Sequence, residues 1–295
     1  MSLSKKWWAA LAALAAVAVL AALGVAWAFG VRSFVMETPS MGRDIPVGSL
    51  VVTQPAQVDE LEPGEVVTAE INGMARTHRV VESDDGAVRT RGDLNGGVDP
   101  VPLTDEALVG RVVFAATGLG WVIRGLPVIL LAWLLFWVLT RRVEEPAQRS
   151  RYRLLGVFCG VALAIVLVRP LLGVELLGLR VDGPQQAVAR TVSTGILPVE
   201  VDPAGDDPAG PVMFPVGSDA STTAHEAVDG KFSFQPRPAL TWSWWLGLIG
   251  LGLSPFLGFY LQHRWFQREA GQREPEDRDH EEVTQTATVG EGGKA

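Results

Sequence analysis

The chain has 295 residues, of which 48% are hydrophobic and 20% charged, with a formal net charge of −8. The acidic balance and the lack of a basic, aromatic-rich patch exclude nucleic acid as a partner. A single cysteine, Cys159, excludes an internal disulfide and any cysteine-based metal site.

Taken in chain order, residues 1–30 read as a cytoplasmic N-terminus and membrane anchor. Lys5 and Lys6 precede an uncharged apolar stretch over 8–29. A spanning helix needs ~20 mostly apolar residues, and this stretch meets that length. A cleaved signal peptide would have a shorter apolar core and a small-x-small site after it, so the stretch reads as an uncleaved anchor.

Residues 31–119 alternate short β-favouring runs with turn signals, which predicts a small all-β domain. Strands are expected over 49–53, 65–71, 77–82, 87–91 and 108–115. Asn72-Gly73 and Asp85-Gly86 mark hairpin turns. A second spanning helix is expected over 120–140, with Arg124 near its start able to snorkel. A basic cytoplasmic loop follows over 141–153, and a third span over 154–172. Residues 173–239 predict a second β-rich outer region, with strands over 187–193 and 197–201 and a Pro/Gly/Asp-rich loop over 201–211. His225 in that region reads as a solvated loop histidine. Trp242, Trp244 and Trp245 open a fourth span over 240–262, as suits a membrane interface. The polar, acidic stretch 263–295 has the composition of a disordered cytoplasmic tail.

Orientation follows from the basic residues near the helix ends. Lys5, Lys6, Arg141, Arg142, Arg149, Arg151, Arg153, Arg264 and Arg268 all fall on one side if four helices cross. That side is expected to be the cytoplasm. The expected location is therefore the cell membrane, multi-pass, with the β regions outside the cytoplasm.

The absences carry as much as the motifs. No lysine occurs between positions 7 and 230, and His78 is the only histidine in the first 224 residues. A serine nucleophile needs a base within hydrogen-bond reach. If the first β region is a serine hydrolase, that base is His78. Ser40 stands in Thr38-Pro39-Ser40-Met41-Gly42, shortly beyond the anchor, where Pro39 fixes the backbone before it. Read alone, this is an ordinary loop serine. Asp93 and Asp99 lie in a Gly-rich loop after the fourth predicted strand, and either one is a candidate to accept the imidazole N–H and set its tautomer.

In order, these pieces resemble the type I signal peptidases, specifically the ER-type branch. The resemblance rests on the anchor, Pro39-Ser40-Met41 with Ile45-Pro46-Val47-Gly48-Ser49, Pro63-Gly64-Glu65-Val66-Val67, Thr77-His78-Arg79-Val80-Val81, and Arg91-Gly92-Asp93-Leu94-Asn95 with Asp99. It covers about residues 8–140. The proline spacing after Ser40-Met41 departs from the family pattern, and Gly64-Glu65 replaces Gly-Asp.

The resemblance implies a membrane-anchored, signal-peptidase-like β fold with a Ser40 nucleophile and a His78 base. It maps two acidic positions to Asp93 and Asp99, with Asp99 favoured as the triad member. It also implies no cofactor or metal. The expected partners are the lipid bilayer and secretory preproteins with small residues before the cleavage site. Val66, Val67, Thr68 and Ala69 are assigned as an edge strand on which an extended substrate pairs. Two alternatives stand beside a general signal peptidase. One is a dedicated processing peptidase for a few surface proteins; the other is a catalytically idle, membrane-bound binding module.

Overall fold

The computed structural model describes residues 2–84, 87–169, 171–183, 186–203, 210–225 and 231–291. Among these it forms twelve strands in three antiparallel sheets and four long helices. The chain divides into two units. One comprises Met1–Arg124 with Val168–Ala239, the other Gly125–Leu167 with Leu240–Ala295. The two β regions, read from sequence as separate, therefore belong to one unit.

Helix α1 spans Ser2–Ala28 and is rich in alanine and leucine, both strong helix formers. It ends in a left-handed turn at Gly30, φ +82°. There the Val31 amide donates to Ala26 O and the Gly30 amide to Trp27 O, both at 3.0 Å, which satisfies carbonyls the helix end leaves open.

Helices α2 (Leu119–Leu139), α3 (Pro146–Val168) and α4 (Trp242–Glu291) complete the set. All four helices contain segments long and apolar enough to cross a membrane, so the chain is that of a membrane protein. Helix α3 begins earlier and ends earlier than its hydropathy indicated. Pro146 supplies a pre-set φ at the first helical position, which draws Arg149, Arg151 and Arg153 out of the expected basic loop and into the helix. At the other end Pro170 forbids continuation, and Arg169 leaves the helix at φ +53°. Helix α4 runs to Glu291, through a segment whose composition led us to expect disorder; its Glu, Gln, Arg and Ala residues favour helix.

The first β region is one six-stranded sheet. Its strands are β1 (Arg32–Val35), β2 (Leu50–Gln54), β3 (Val66–Ile71), β4 (Met74–Asp84), β5 (Ala87–Arg91) and β6 (Leu108–Ala116). Their order is β1-β2-β6-β3-β4-β5. Asn72 and Gly73 take φ of 55° and 74°, the two left-handed residues of a tight hairpin turn between β3 and β4. The expected turn at 85–86 lies outside the described residues. Strand β1 was not anticipated: four residues beyond a helix carry little periodic signal.

This order corrects one expectation. Strand β3 is not an edge. It pairs with β4 from Val66↔Arg79 to Ile71↔Met74, and with β6 through Val67↔Arg111, Thr68↔Gly110 and Ala69↔Leu108. Val67, Thr68 and Ala69 are buried. Their backbone groups are committed on both sides, so Val66, Val67, Thr68 and Ala69 are a core strand and not a docking edge. Val67 and Ala69 pack with Val58, Leu61, Val80, Val88 and Leu103.

The second β region holds two three-stranded sheets. One has the order β11-β8-β7, from Asp219–Ala224, Ala187–Ser193 and Val174–Val181. The other is β10-β9-β12, from Val212–Phe214, Val199–Pro203 and Phe234–Pro238. Strand β8 falls where the sequence placed it, whereas β9 sits two residues later. Val199, Val201 and Phe214 form its core. Part of the loop expected over 201–211 is strand, and its residues 204–209 lie outside the described set.

In the first sheet the Thr68 and Thr77 hydroxyls face each other at 2.9 Å in a buried cross-strand pair. Replacing either with valine strands a buried hydroxyl. Thr68→Val and Thr77→Val are each expected to destabilise by about 1–3 kcal/mol, and the double variant by less than their sum. Denaturant unfolding in detergent, read by tryptophan fluorescence, measures this.

Candidate active site

Strand β4 carries Thr77, His78 and Arg79, and alternation sends successive side chains to opposite faces. The imidazole of His78 is only 10% exposed and meets a carboxylate 14% exposed. His78 Nδ1 lies 2.6 Å from Asp99 Oδ2. The loop after β5 delivers Asp99, and Thr90 on β5 anchors it. The Thr90 hydroxyl donates to Asp99 Oδ2 at 2.6 Å, while the Asp99 amide donates to Thr90 O at 2.8 Å. An ionised carboxylate only accepts, so Nδ1 carries the proton and, in the neutral ring, Nε2 is left as a base.

Ser40 sits in a tight turn. The Gly42 amide donates to Pro39 O at 2.9 Å, and the Asp44 amide to Met41 O at 3.3 Å. Met41 is fully buried and pins the turn into a cluster with Met36, Ile45 and Val51. The loop after β5 braces the same serine. The Leu94 amide donates to Ser40 O at 2.8 Å. Gly92 passes so close that a Cβ there would fall 2.9 Å from Ser40 Cβ and 2.8 Å from Asn95 Nδ2. The Ser40 hydroxyl lies 3.5 Å from that of Thr38.

One cleft of about 790 Å³ takes in Ser40, His78, Thr38 and Asn95. Ser40 and His78 share its wall without a direct hydrogen bond between their side chains, a common state before substrate arrives. Two backbone edges also line it. Strand β1 is a sheet edge. Strand β4 pairs with β5 only from Arg79 onward, which leaves residues 74–78 open on that side. Arg124, ion-paired with Glu37, also lines the cleft.

Asp93 is placed elsewhere. It takes a two-pronged contact from Arg79, Nε to Oδ1 at 3.0 Å and Nη2 to Oδ2 at 2.8 Å. Arg79 also donates to Gly64 O at 2.9 Å and pairs with Asp44. The Asp93 hydrogen bonds, and then those of Asp44, raise the guanidinium pKa above its already high value, so Arg79 stays charged. Of the two acidic candidates, only Asp99 reaches His78; Asp93 holds the loop to β4. Sequence reading missed Thr38, Thr90 and Asn95, which carry no pattern of their own. His225 follows β11 and is exposed. Among the described residues no group of three or more His, Cys, Asp or Glu is placed to hold a metal ion.

A short imidazole–carboxylate hydrogen bond deshields its proton. The His78 Nδ1 proton is expected to resonate well downfield of the amides in a proton NMR spectrum. Asp99→Asn should abolish that signal, and Asp93→Asn should leave it in place. No protein-family model matches the chain, and neither a curated protein nor a solved structure does, so the functional reading rests on the residues and their geometry.

Proposed function

We propose that the chain is a membrane-anchored serine endopeptidase of the signal-peptidase kind, removing signal peptides from secretory preproteins at the outer face of the cell membrane. One observation carries the reading: the 2.6 Å pairing of His78 with Asp99 on the wall of the cleft that also holds Ser40. The resemblance in sequence supports it.

In this mechanism a turn of the Ser40 side chain brings its hydroxyl to His78 Nε2. The serine oxygen bonds to the scissile carbonyl carbon as its proton passes to Nε2. Asp99 stabilises the imidazolium and holds the ring in register. The imidazolium then gives that proton to the leaving amine as the C–N bond breaks. Water, giving a proton to His78, attacks the acyl carbonyl, and the ester C–O bond breaks as Nε2 returns that proton to the Ser40 oxygen. The Thr38 hydroxyl beside Ser40 is placed to donate to the oxyanion.

The substrate chain lies extended in the cleft, pairing with the free edges of β1 and of residues 74–78 in β4. Arg124, in the first two turns of α2, also lines the cleft. The basic residues at the helix ends support a reading in which the β unit lies outside the cytoplasm.

The deciding test is cleavage of a signal-peptide-bearing preprotein by the detergent-solubilised protein. Wild type is expected to cut after a small-x-small sequence and Ser40→Ala to cut nothing; activity retained in Ser40→Ala would overturn the nucleophile. Thr38→Val is expected to lower kcat by about 10²–10³-fold with little change in KM, as loss of an oxyanion donor does.

A further inference from the structure

The second β region touches the first at the turn and loop that hold Ser40. Arg190 on β8 makes two contacts with its guanidinium. Its Nε donates to Asp219 Oδ2 at 2.7 Å and its Nη1 to Leu94 O at 3.5 Å. Leu94 is the residue whose amide holds Ser40 O. The same peptide segment is therefore gripped from both sides, by the nucleophile's carbonyl and by an arginine of the other region.

A second contact closes on the turn itself. Gly217 lies so near Gly42 that a Cβ on it would fall 2.7 Å from Gly42 O. Gly217 is itself fixed to β8: its amide donates to Ser193 O at 3.1 Å, and the Ser193 amide donates to Ser218 O at 3.1 Å. Both contacts thus issue from one strand, β8, and the turn that enters β11. Neither reaches His78 or Asp99; both act on the backbone around Ser40.

We propose that the second β region is a clamp that positions the nucleophile, with Arg190 and Gly217 as positioning residues. The inference rests on the peptidase reading for its effect on rate, but not for its effect on the loop. The turn that holds Ser40 is supported from inside the first β region and, through Gly217, from outside it. Without the clamp, the turn and the Leu94 loop would sample positions that take Ser40 away from His78. A displacement of about 1 Å at a reacting group costs up to about 100-fold in rate.

The test uses the full chain in detergent, with Arg190→Ala, Arg190→Lys and Gly217→Ala. Two quantities are read: kcat and KM on a preprotein, and amide hydrogen exchange at Gly42 and Leu94. Arg190→Ala and Gly217→Ala are expected to lower kcat about 10- to 100-fold with KM nearly unchanged, and to speed exchange at those amides on the order of tenfold. Arg190→Lys keeps the charge beside Asp219 but lacks the second arm to Leu94, so it should behave as Arg190→Ala; full rescue by lysine would overturn the role of Arg190.

Gly217→Ala adds a carbon against the 42–46 turn and also strains its own backbone at φ +71°. If Arg190→Ala or Gly217→Ala lowers the unfolding midpoint, Arg190→Lys therefore decides the role of Arg190. Unchanged exchange at Gly42 and Leu94 in Gly217→Ala overturns the clamp. A wild type that cuts nothing overturns the peptidase reading instead, and the exchange measurement still decides the clamp.

Discussion

The contact on which the site depends is the carboxylate of Asp99, held between an imidazole and a threonine hydroxyl. A carboxylate so far withdrawn from solvent is costly unless it is paired and hydrogen-bonded. Here one oxygen receives both His78 Nδ1 and Thr90 Oγ1 at 2.6 Å. That pairing ties β4, β5 and the loop after β5 into one assembly. It also fixes which nitrogen of His78 is a donor, and so which is left to act on a neighbour. The buried threonine is as much a part of this as the acid. It binds the Asp99 side chain through its hydroxyl and the Asp99 amide through its carbonyl, which leaves the carboxylate little freedom to turn away.

The other side of the site is built from backbone. Besides those on the outer strand β5, the sheet's open hydrogen-bonding groups fall on β1 and on the first half of β4. Both border the cleft with Ser40 and His78. An unprotected edge is an aggregation hazard that proteins usually cover or charge. Keeping two of them open beside a serine–histidine pair fits the proposed peptidase, whose substrate would be an extended chain. Arg79 performs a separate task on the opposite face of β4. It gathers Asp44, Asp93 and Gly64 O, joining the turn after Ser40 to the loop after β5.

Two loops therefore meet at Ser40. The turn over 39–44 is anchored by buried Met41, and the Leu94 loop by Asp93 and Asp99. Their remaining contacts come from β8 and the turn before β11, far along the chain. This gives the second β region a place in the same unit as Ser40.

Much of this was legible in the residues. Four apolar stretches were long enough to span a bilayer, and Asn72-Gly73 marked its hairpin because only a tight turn with two left-handed residues suits that pair. The gap in lysine between positions 7 and 230 left His78 as the only histidine, with no lysine beside it, in the first β region. These are local or compositional properties, and they survive without a fold. Other features were not local. Period-2 alternation says which face of a strand is buried but not which strand lies beside it, so β3 was read as an edge when it is central. Asp93 and Asp99 occupy the same kind of glycine-rich loop, and although the family resemblance favoured Asp99, nothing local separates them. Only the packed sheet separates them, because it sets Arg79 against one and His78 against the other. The sequence by itself determined the helices, most of the strands and the reactive residue types. The tertiary structure alone decided strand order, the histidine's partner and the contacts of Arg190 and Gly217 with the segments around Ser40, since each depends on residues that meet only when distant parts of the chain pack together.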